Sequence, residues 1–290
     1  MSNHESILIL GASGITGAAI AKRMKPDYNV SGTYFQNEYD VGIKLFKNNL
    51  KDKEELKNLF DIIKPDVVIN CAGATSIPEC EKNPEEAYLM NVKAVEDICI
   101  LVDKFKAKGV LFSTDSIFSG VNKNRDYVEE DVAKPRTVYG KTKLEGEALV
   151  KKYHNNHLIL RISLVYGNSP SGIRGADEKV INSIKRNENY KAFTDEFRCP
   201  TSVDDIAEVV VRLLEGNHQG TYNVCGPMKV SRFGFACGVA KRNGYSENNV
   251  TPVLLAESPD KDIRSPDLGM NCEKLNKAIN YKLNYHYSIN

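Results

Sequence analysis

No apolar run in this sequence approaches the ~18 residues that a membrane-spanning helix needs. The run nearest the N-terminus, Ile7-Leu8-Ile9-Leu10, follows Met1-Ser2-Asn3-His4-Glu5 and is too short for a signal-peptide core and has no basic flank. The expectation is a cytoplasmic protein without a membrane partner. Charge of one sign is missing too: 39 Lys and Arg against 38 Asp and Glu leave a formal charge of +1. With no local Lys/Arg block either, nothing supplies the basic field that nucleic-acid binding requires. The seven cysteines are scattered, odd in number and never spaced C-x-x-C. Free thiols in a reducing compartment are expected, with no disulfide frame and no metal site. Repeats, low-complexity tracts and an obvious linker are also lacking. What remains is a globular composition, 41% hydrophobic and 27% charged over 290 residues, long enough for one large domain or two smaller ones.

Taken in order, the chain first alternates strands and helices. Ile7–Leu10 reads as a buried parallel strand and runs into Gly11-Ala12-Ser13-Gly14-Ile15-Thr16-Gly17, then a helix through Met24 that Pro26 ends. Strand, glycine turn and helix N-terminus together form a pyrophosphate cradle, because glycines allow close backbone approach and the helix end presents free N–H groups. The spacing is G-x-x-G-x-x-G. Asn29–Tyr34 reads as a second strand, and at its end, Thr33-Tyr34-Phe35-Gln36, stands neither the carboxylate that would hold a ribose 2′-hydroxyl nor a basic residue for a 2′-phosphate. Without a carboxylate to repel a phosphate, NADP(H) is favoured over NAD(H). A third strand near Lys44–Phe46 leads to an adenine-side loop at Asn49 and Leu50, and Lys53–Ile63 is a helix with Leu56, Leu59, Phe60 and Ile63 on one face. Asp66–Asn70 is another buried strand. It runs into Cys71-Ala72-Gly73, small residues suited to packing backbone against a cofactor. Pro84 opens a helix continuing towards Val102.

Gly109 to Ser116 reads as a strand ending in hydroxyls and one carboxylate. Ligands bind beyond the carboxyl ends of such strands, so Thr114 either hydrogen-bonds a substrate oxygen or caps the strand in a local turn. After a polar loop over Asn122–Asp131, Pro135 precedes a helix to about Tyr153. That helix carries Tyr139 and Lys143, four residues apart and so on one face. A cation beside a phenol favours the phenolate and lowers its pKa, which makes the pair a proton-transfer device. His157–Ile162 is the next strand. Beyond Gly167 the alternation becomes irregular: a loop to Asp177, helices over Glu178–Arg186, Asp204–Glu215 and Ser231–Arg242, a strand at Thr221–Cys225, extended Thr251–Leu255 and Asp262–Leu268, and a last helix at Glu273–Ile279. The fold expected is α/β, a doubly wound parallel sheet of Rossmann type over residues 1–166, completed by 200–225. Residues 167–290 form a smaller, irregular substrate-binding region.

This order of motifs resembles the extended short-chain dehydrogenase/reductase superfamily. Phe112-Ser113-Thr114-Asp115, Val138-Tyr139-Gly140-Lys141-Thr142-Lys143, Asp195 to Thr201 and Ile263 to Leu275 look most like its dTDP-4-dehydrorhamnose reductase family. The resemblance implies that Gly11, Ser13, Gly14, Ile15, Thr16 and Gly17 hold the pyrophosphate, with Asn49, Leu50, Cys71, Ala72 and Gly73 along the cofactor. It implies that Tyr139 protonates a ketone oxygen while nicotinamide delivers hydride. Lys143 would hold the nicotinamide ribose and depress the Tyr139 pKa, and Thr114 would bond the reacting oxygen. Asp115, Ser116, Arg198 and Arg264 would meet a nucleotide-linked 4-keto-6-deoxy sugar, the two arginines near its diphosphate. Three positions depart from the pattern: Ser116 replaces a tyrosine, Asn49 an acid, and Arg264 to Met270 is one residue short. An epimerase on the same fold, or a non-catalytic NADP-binding subunit like that of methionine adenosyltransferase, stays open, as does a homodimer. Thr114-Asp115-Ser116 lacks the glutamate that related dehydratases use.

Overall fold

The computed structural model describes residues 5–121, 125–153 and 156–287. The leader reading of Met1–His4 and part of the Asn122–Asp131 loop, at 122–124, lie outside the described residues. The first half runs β1 (Ser6–Leu10), α1 (Ile15–Met24), β2 (Asn29–Tyr34), β3 (Lys44–Lys47), α2 (Lys53–Ile63), β4 (Val67–Asn70), α3 (Ile77–Lys82), α4 (Pro84–Tyr88), α5 (Ala94–Lys104), β5 (Lys108–Thr114), α6 (Val138–Tyr153) and β6 (His157–Ile162). The second runs β7 (Val165–Tyr166), α7 (Ala176–Lys185), β8 (Tyr190–Phe193), β9 (Phe197–Arg198), β10 (Thr201–Ser202), α8 (Val203–Glu215), β11 (Gly220–Val224), β12 (Val230–Ser231), α9 (Arg232–Arg242), β13 (Val250–Val253) and α10 (Glu273–Ile279).

Seven strands form one sheet in the order β11-β6-β5-β4-β1-β2-β3, every pairing parallel. Such strands are covered on both faces and read as continuous apolar runs; Ile7, Leu8, Ile9 and Leu10 are all fully buried. On one face Ile20 and Met24 of α1 pack with Val209, Val210 and Leu213 of α8 and Leu275 of α10. On the other, Leu56 and Phe60 of α2 meet Ile98 and Leu101 of α5. The strand order reverses between β1 and β4, which opens a crevice at the carboxyl ends of the strands. A smaller lobe covers that crevice. Its core is Val180 and Ile184 of α7, Phe235 and Val239 of α9, and Val250 of β13, which pairs with β8. No helix among the described residues is long and apolar enough to cross a membrane.

Local chemistry explains where these elements begin and end. Asp52 caps α2 by accepting from the N–H groups of Glu54 and Glu55, and Lys64 ends it in the left-handed region at φ 49°. Ser231 caps α9 by accepting from Gly234 N–H at 2.9 Å. Three expectations need correction. The helix opened by Pro84 is not one α-helix: a π-turn at Leu89–Lys93 joins α4 to α5. The strand expected through Ser116 stops at Thr114, whose hydroxyl accepts from Ser116 N–H at 3.1 Å and folds Asp115–Ile117 into a 3₁₀ turn. The segment expected to be extended over Asp262–Leu268 begins in a turn, with Ile263 and Arg264 N–H both 3.1 Å from the Asp260 carbonyl.

Candidate active site

The glycine turn leaves β1 with Gly11 at φ +80°, where a Cβ would lie 3.0 Å from Ala72 N. Gly11 N–H donates to Thr33 Oγ1 at 2.9 Å, and Gly14 N–H closes the turn on the Gly11 carbonyl at 3.0 Å. Helix α1 starts against this turn. It has neither a capping side chain nor an acidic residue in its first turn, so its first N–H groups face the crevice without a protein acceptor of that kind. A cavity of about 900 Å³ begins here, lined by Gly11, Ser13, Gly14, Ile15, Thr16 and Gly17. Asn49, Leu50, Cys71, Ala72 and Gly73 also line it. Asn48, one residue from the expected position, is 4% exposed, and its Oδ1 has no hydrogen-bond partner although the residue lies in the cavity wall. An orphaned acceptor at the adenine end and a turn that tolerates no Cβ both fit a dinucleotide.

Thr114, Tyr139 and Lys143 all line the same cavity, brought together by the end of β5 and the first turns of α6. Their electrostatics differ from the sequence-based expectation. Burial pushes the Tyr139 phenol above its ordinary value, the nearby Asp115 carboxylate adds to that, and only Thr114 acts in the other direction. Any lowering by Lys143 does not outweigh burial. The ammonium instead donates to the Phe112 carbonyl at 2.6 Å, and burial pulls Lys143 itself down to about 8, with Glu147 opposing. Thr114 also has a local part: its hydroxyl accepts from Ser116 N–H and donates to Asp115 Oδ1 at 3.2 Å, so the turn-capping role is present.

Two supports behind this set carry no sequence signal of their own. Asn91, in the π-turn, accepts from Ala74 N–H at 2.9 Å and donates to the Ala74 carbonyl and to Thr142 Oγ1 at 3.0 and 3.1 Å. It thereby braces the Cys71–Ala74 segment against α6. Glu147, one turn beyond Lys143, is fully buried and takes a bidentate pair from Arg161 at 3.0 and 2.8 Å plus the Ser113 hydroxyl at 2.6 Å.

At the far end of the cavity the expected substrate residues are partly taken up by one another. Asp115 accepts from Ser163 and Ser116 hydroxyls at 2.9 and 3.1 Å and stands 3.7 Å from Arg198 Nε. Arg198 also pairs with Glu196 at 3.2 Å and donates to the Phe197 and Ser265 carbonyls, so it is a structural clamp rather than a free cation. Arg264 pairs with Glu196 at 3.0 Å and lies over the Phe193 ring at 4.6 Å, yet its Nε has no partner. The cations without such pairing are ones that sequence reasoning missed. Arg174, Lys179 and Arg232 line the cavity, and none forms an ion pair among the described residues. The Lys179 ammonium is pushed down by burial, by Arg232 and by Arg174. They come from the loop before α7, from α7 and from the start of α9, so no spacing in the sequence joins them.

Comparison with known proteins shows the family. Residues 5–289 match the family described as RmlD substrate binding domain. The spore coat polysaccharide biosynthesis protein SpsK of Bacillus subtilis is 30% identical over 260 residues, covering 89% of this chain and 86% of that protein. Methionine adenosyltransferase 2 subunit beta of Rattus norvegicus is 28% identical over 278 residues, 93% of this chain and 81% of that one. The crystal structure of dTDP-4-dehydrorhamnose reductase from Bacillus anthracis in complex with NADP matches with a TM-score of 0.84 at 25% identity, covering 97% of this chain and 95% of that chain.

Proposed function

Because the chain belongs to the RmlD substrate binding domain family and is an NAD(P)-dependent oxidoreductase of the extended short-chain dehydrogenase/reductase type, we propose that it reduces the keto group of a nucleotide-linked 4-keto-6-deoxy sugar. The observation that carries this reading is the continuity of one cavity from the glycine turn, past Tyr139, to the Arg174, Lys179 and Arg232 cations. The first end suits a dinucleotide pyrophosphate and the second a sugar-linked diphosphate, with a proton donor between them.

A bound nicotinamide supplies the hydride. The chain supplies the rest. Tyr139 keeps its proton at neutral pH because its site disfavours the phenolate. It is therefore set to donate to a carbonyl oxygen that becomes more basic as the reaction proceeds. Thr114, beside it, can turn its hydroxyl from Asp115 to the same oxygen. Lys143, anchored on the Phe112 carbonyl next to Gly73, would hold the ribose hydroxyls and offer positive charge to the reacting oxygen. Arg174, Lys179 and Arg232, which form no ion pair among the described residues, would neutralise the diphosphate, while Arg264 Nε offers one further donor.

NADPH is the proposed cofactor. Tyr34, Phe35, Gln36 and Asn37 line the adenosine end, whereas Glu38 engages the Tyr34 phenol and is not part of the cavity wall. The intact Thr114, Tyr139 and Lys143 set supports chemistry over a purely binding role. The test is a panel of nucleotide-linked 4-keto sugars incubated with NADPH and then NADH while nicotinamide absorbance is followed. Turnover of at least one sugar, with NADPH at least as good as NADH, is expected. Tightly retained NAD and no net absorbance change would favour epimerisation; NADPH binding without turnover of any sugar would favour a binding subunit.

A further inference from the structure

Three of the cysteines, far apart in sequence, meet behind the substrate wall. Cys199 follows β9, Cys225 follows β11 and Cys272 precedes α10. The Cys199 and Cys225 thiols both donate to the Met270 carbonyl, at 3.7 and 3.1 Å, and the Cys272 thiol donates to the Cys225 carbonyl at 3.4 Å. The Met270 and Cys225 carbonyls thus draw all three thiols into one cluster. We propose that this is an oxidisable thiol site, in which Cys272 reacts with a peroxide and Cys225 resolves the product to a reversible Cys225–Cys272 disulfide.

The two partners are unequal in the way such chemistry needs. Cys225 is fully buried among Ile117, Phe118, Leu268 and Met270, whereas Cys272 is partly exposed. Cys225 first, and then Asn276, whose Nδ2 donates to Cys272 Sγ at 3.7 Å, hold the Cys272 thiol below its ordinary value against the effect of burial. Cys225 is held well above. Burial also pushes Cys71, Cys80, Cys99 and Cys237 up. Thiolate character and access decide which cysteine oxidises; Cys71 is partly exposed as well, but its thiol is pushed up, so Cys272 alone combines the two.

The chemistry balances. The Cys272 sulfur attacks one peroxide oxygen, the O–O bond breaks, and the other oxygen leaves and is protonated to water or an alcohol. Cys225 sulfur then attacks the sulfenic sulfur, the S–S bond forms, and the hydroxyl departs as water with the proton from Cys225. Two thiols are oxidised and one peroxide is reduced. The site is coupled to the cavity through the chain: Cys199 adjoins Arg198, and its N–H donates at 3.3 Å to Ser163 Oγ, which in turn donates to Asp115.

The test needs no substrate and does not rest on the proposed reaction. The full-length, fully reduced chain is treated with equimolar hydrogen peroxide, denatured, alkylated and digested with trypsin, which separates all three cysteines. Expected is a Cys225–Cys272 linked peptide, with loss of two free thiols that a dithiol reductant restores. Cys225→Ser should stop at a Cys272 sulfenic acid that dimedone traps, and Cys272→Ser should yield no disulfide. Oxidation spread evenly over the other cysteines, or a Cys199–Cys225 disulfide that forms equally well in Cys272→Ser, would overturn the proposal. The wild-type peptide map alone decides between these outcomes if a variant fails to fold.

Discussion

A tyrosine that is to give up a proton must hold one at working pH. Desolvation secures this for Tyr139, since burial disfavours phenolate more than its surroundings favour it. Tyr139→Phe removes one oxygen and keeps the ring, so turnover should fall by about 10²–10⁴ while NADPH affinity, set by the glycine turn, stays the same. Stopped-flow turnover and calorimetric Kd for the two proteins check this together. The titrating group near neutrality is then Lys143, at about 8. Its charged form is the one that can hold ribose hydroxyls, so NADPH affinity should decline as pH rises through about 8. That decline should persist in Tyr139→Phe and vanish in Lys143→Met. The stability sign is opposite to that of a paired lysine. The folded pKa lies below the ordinary lysine value of 10.5, so Lys143 disfavours folding below about 8, and this penalty fades as pH rises towards 10.5. A decline that disappears with Tyr139→Phe instead would restore the phenol as the titrating group.

At the scale of single elements, α1 and α6 carry the site for different reasons. Helix α1 abuts the turn because Gly17 has no Cβ: one placed there would sit 2.4 Å from the Gly11 carbonyl oxygen and 2.9 Å from Ala12 Cα, both backbone atoms. At Gly14 the same atom would be 3.3 Å from the Gly11 oxygen. Gly17→Ala should therefore weaken NADPH at least tenfold, about 1.4 kcal/mol, and Gly14→Ala less; titration calorimetry of both ranks them. Helix α6 is held by the Glu147–Arg161 pair. Removing one partner of a buried pair typically costs about 3–5 kcal/mol because the other charge is left unpaired, so Glu147→Gln should lower the chemical-denaturation midpoint accordingly. A loss under about 1 kcal/mol would mean that the pair behaves as a surface one. These elements were unevenly legible. Helix α2 reads directly, through the Asp52 cap and the Leu56, Leu59 and Phe60 face, as do β2 and β6, whose patterns are local. Helix α3 has a Ser76 cap but only six residues and no apolar face, β8 has no such pattern although its partner β13 overlaps the expected extended Thr251–Leu255, and the Glu147–Arg161 pair joins a helix to a strand through space. The Tyr139–Lys143 spacing was legible, but not which of the two groups burial would move further into the neutral range.

For the whole molecule, the division of labour between lobes is the testable matter. The sheet and its glycine turn form one end of the cavity, and α7 and α9 of the smaller lobe supply Lys179 and Arg232 at the other. Burial pushes the Lys179 ammonium down, and repulsion from Arg232 and Arg174 adds to it. A diphosphate would relieve that repulsion, whereas Arg198 and Arg264 already share Glu196. Hydrogen bonds to charged groups are worth about 1.5–3 kcal/mol each. Arg232→Ala should thus raise the KM for the sugar nucleotide roughly tenfold to a hundredfold, with kcat and NADPH Kd little changed. Lys179→Ala should act alike. The double variant should fall short of the sum, since both cations would serve one anion. The wild-type KM should also rise with salt, as an attraction between partly exposed charges is screened, and that rise should flatten in the double variant. Steady-state kinetics over a salt series, with NADPH binding measured in parallel, separates the alternatives. Weakened NADPH with an unchanged sugar KM would assign these cations to the dinucleotide and return the diphosphate to Arg264.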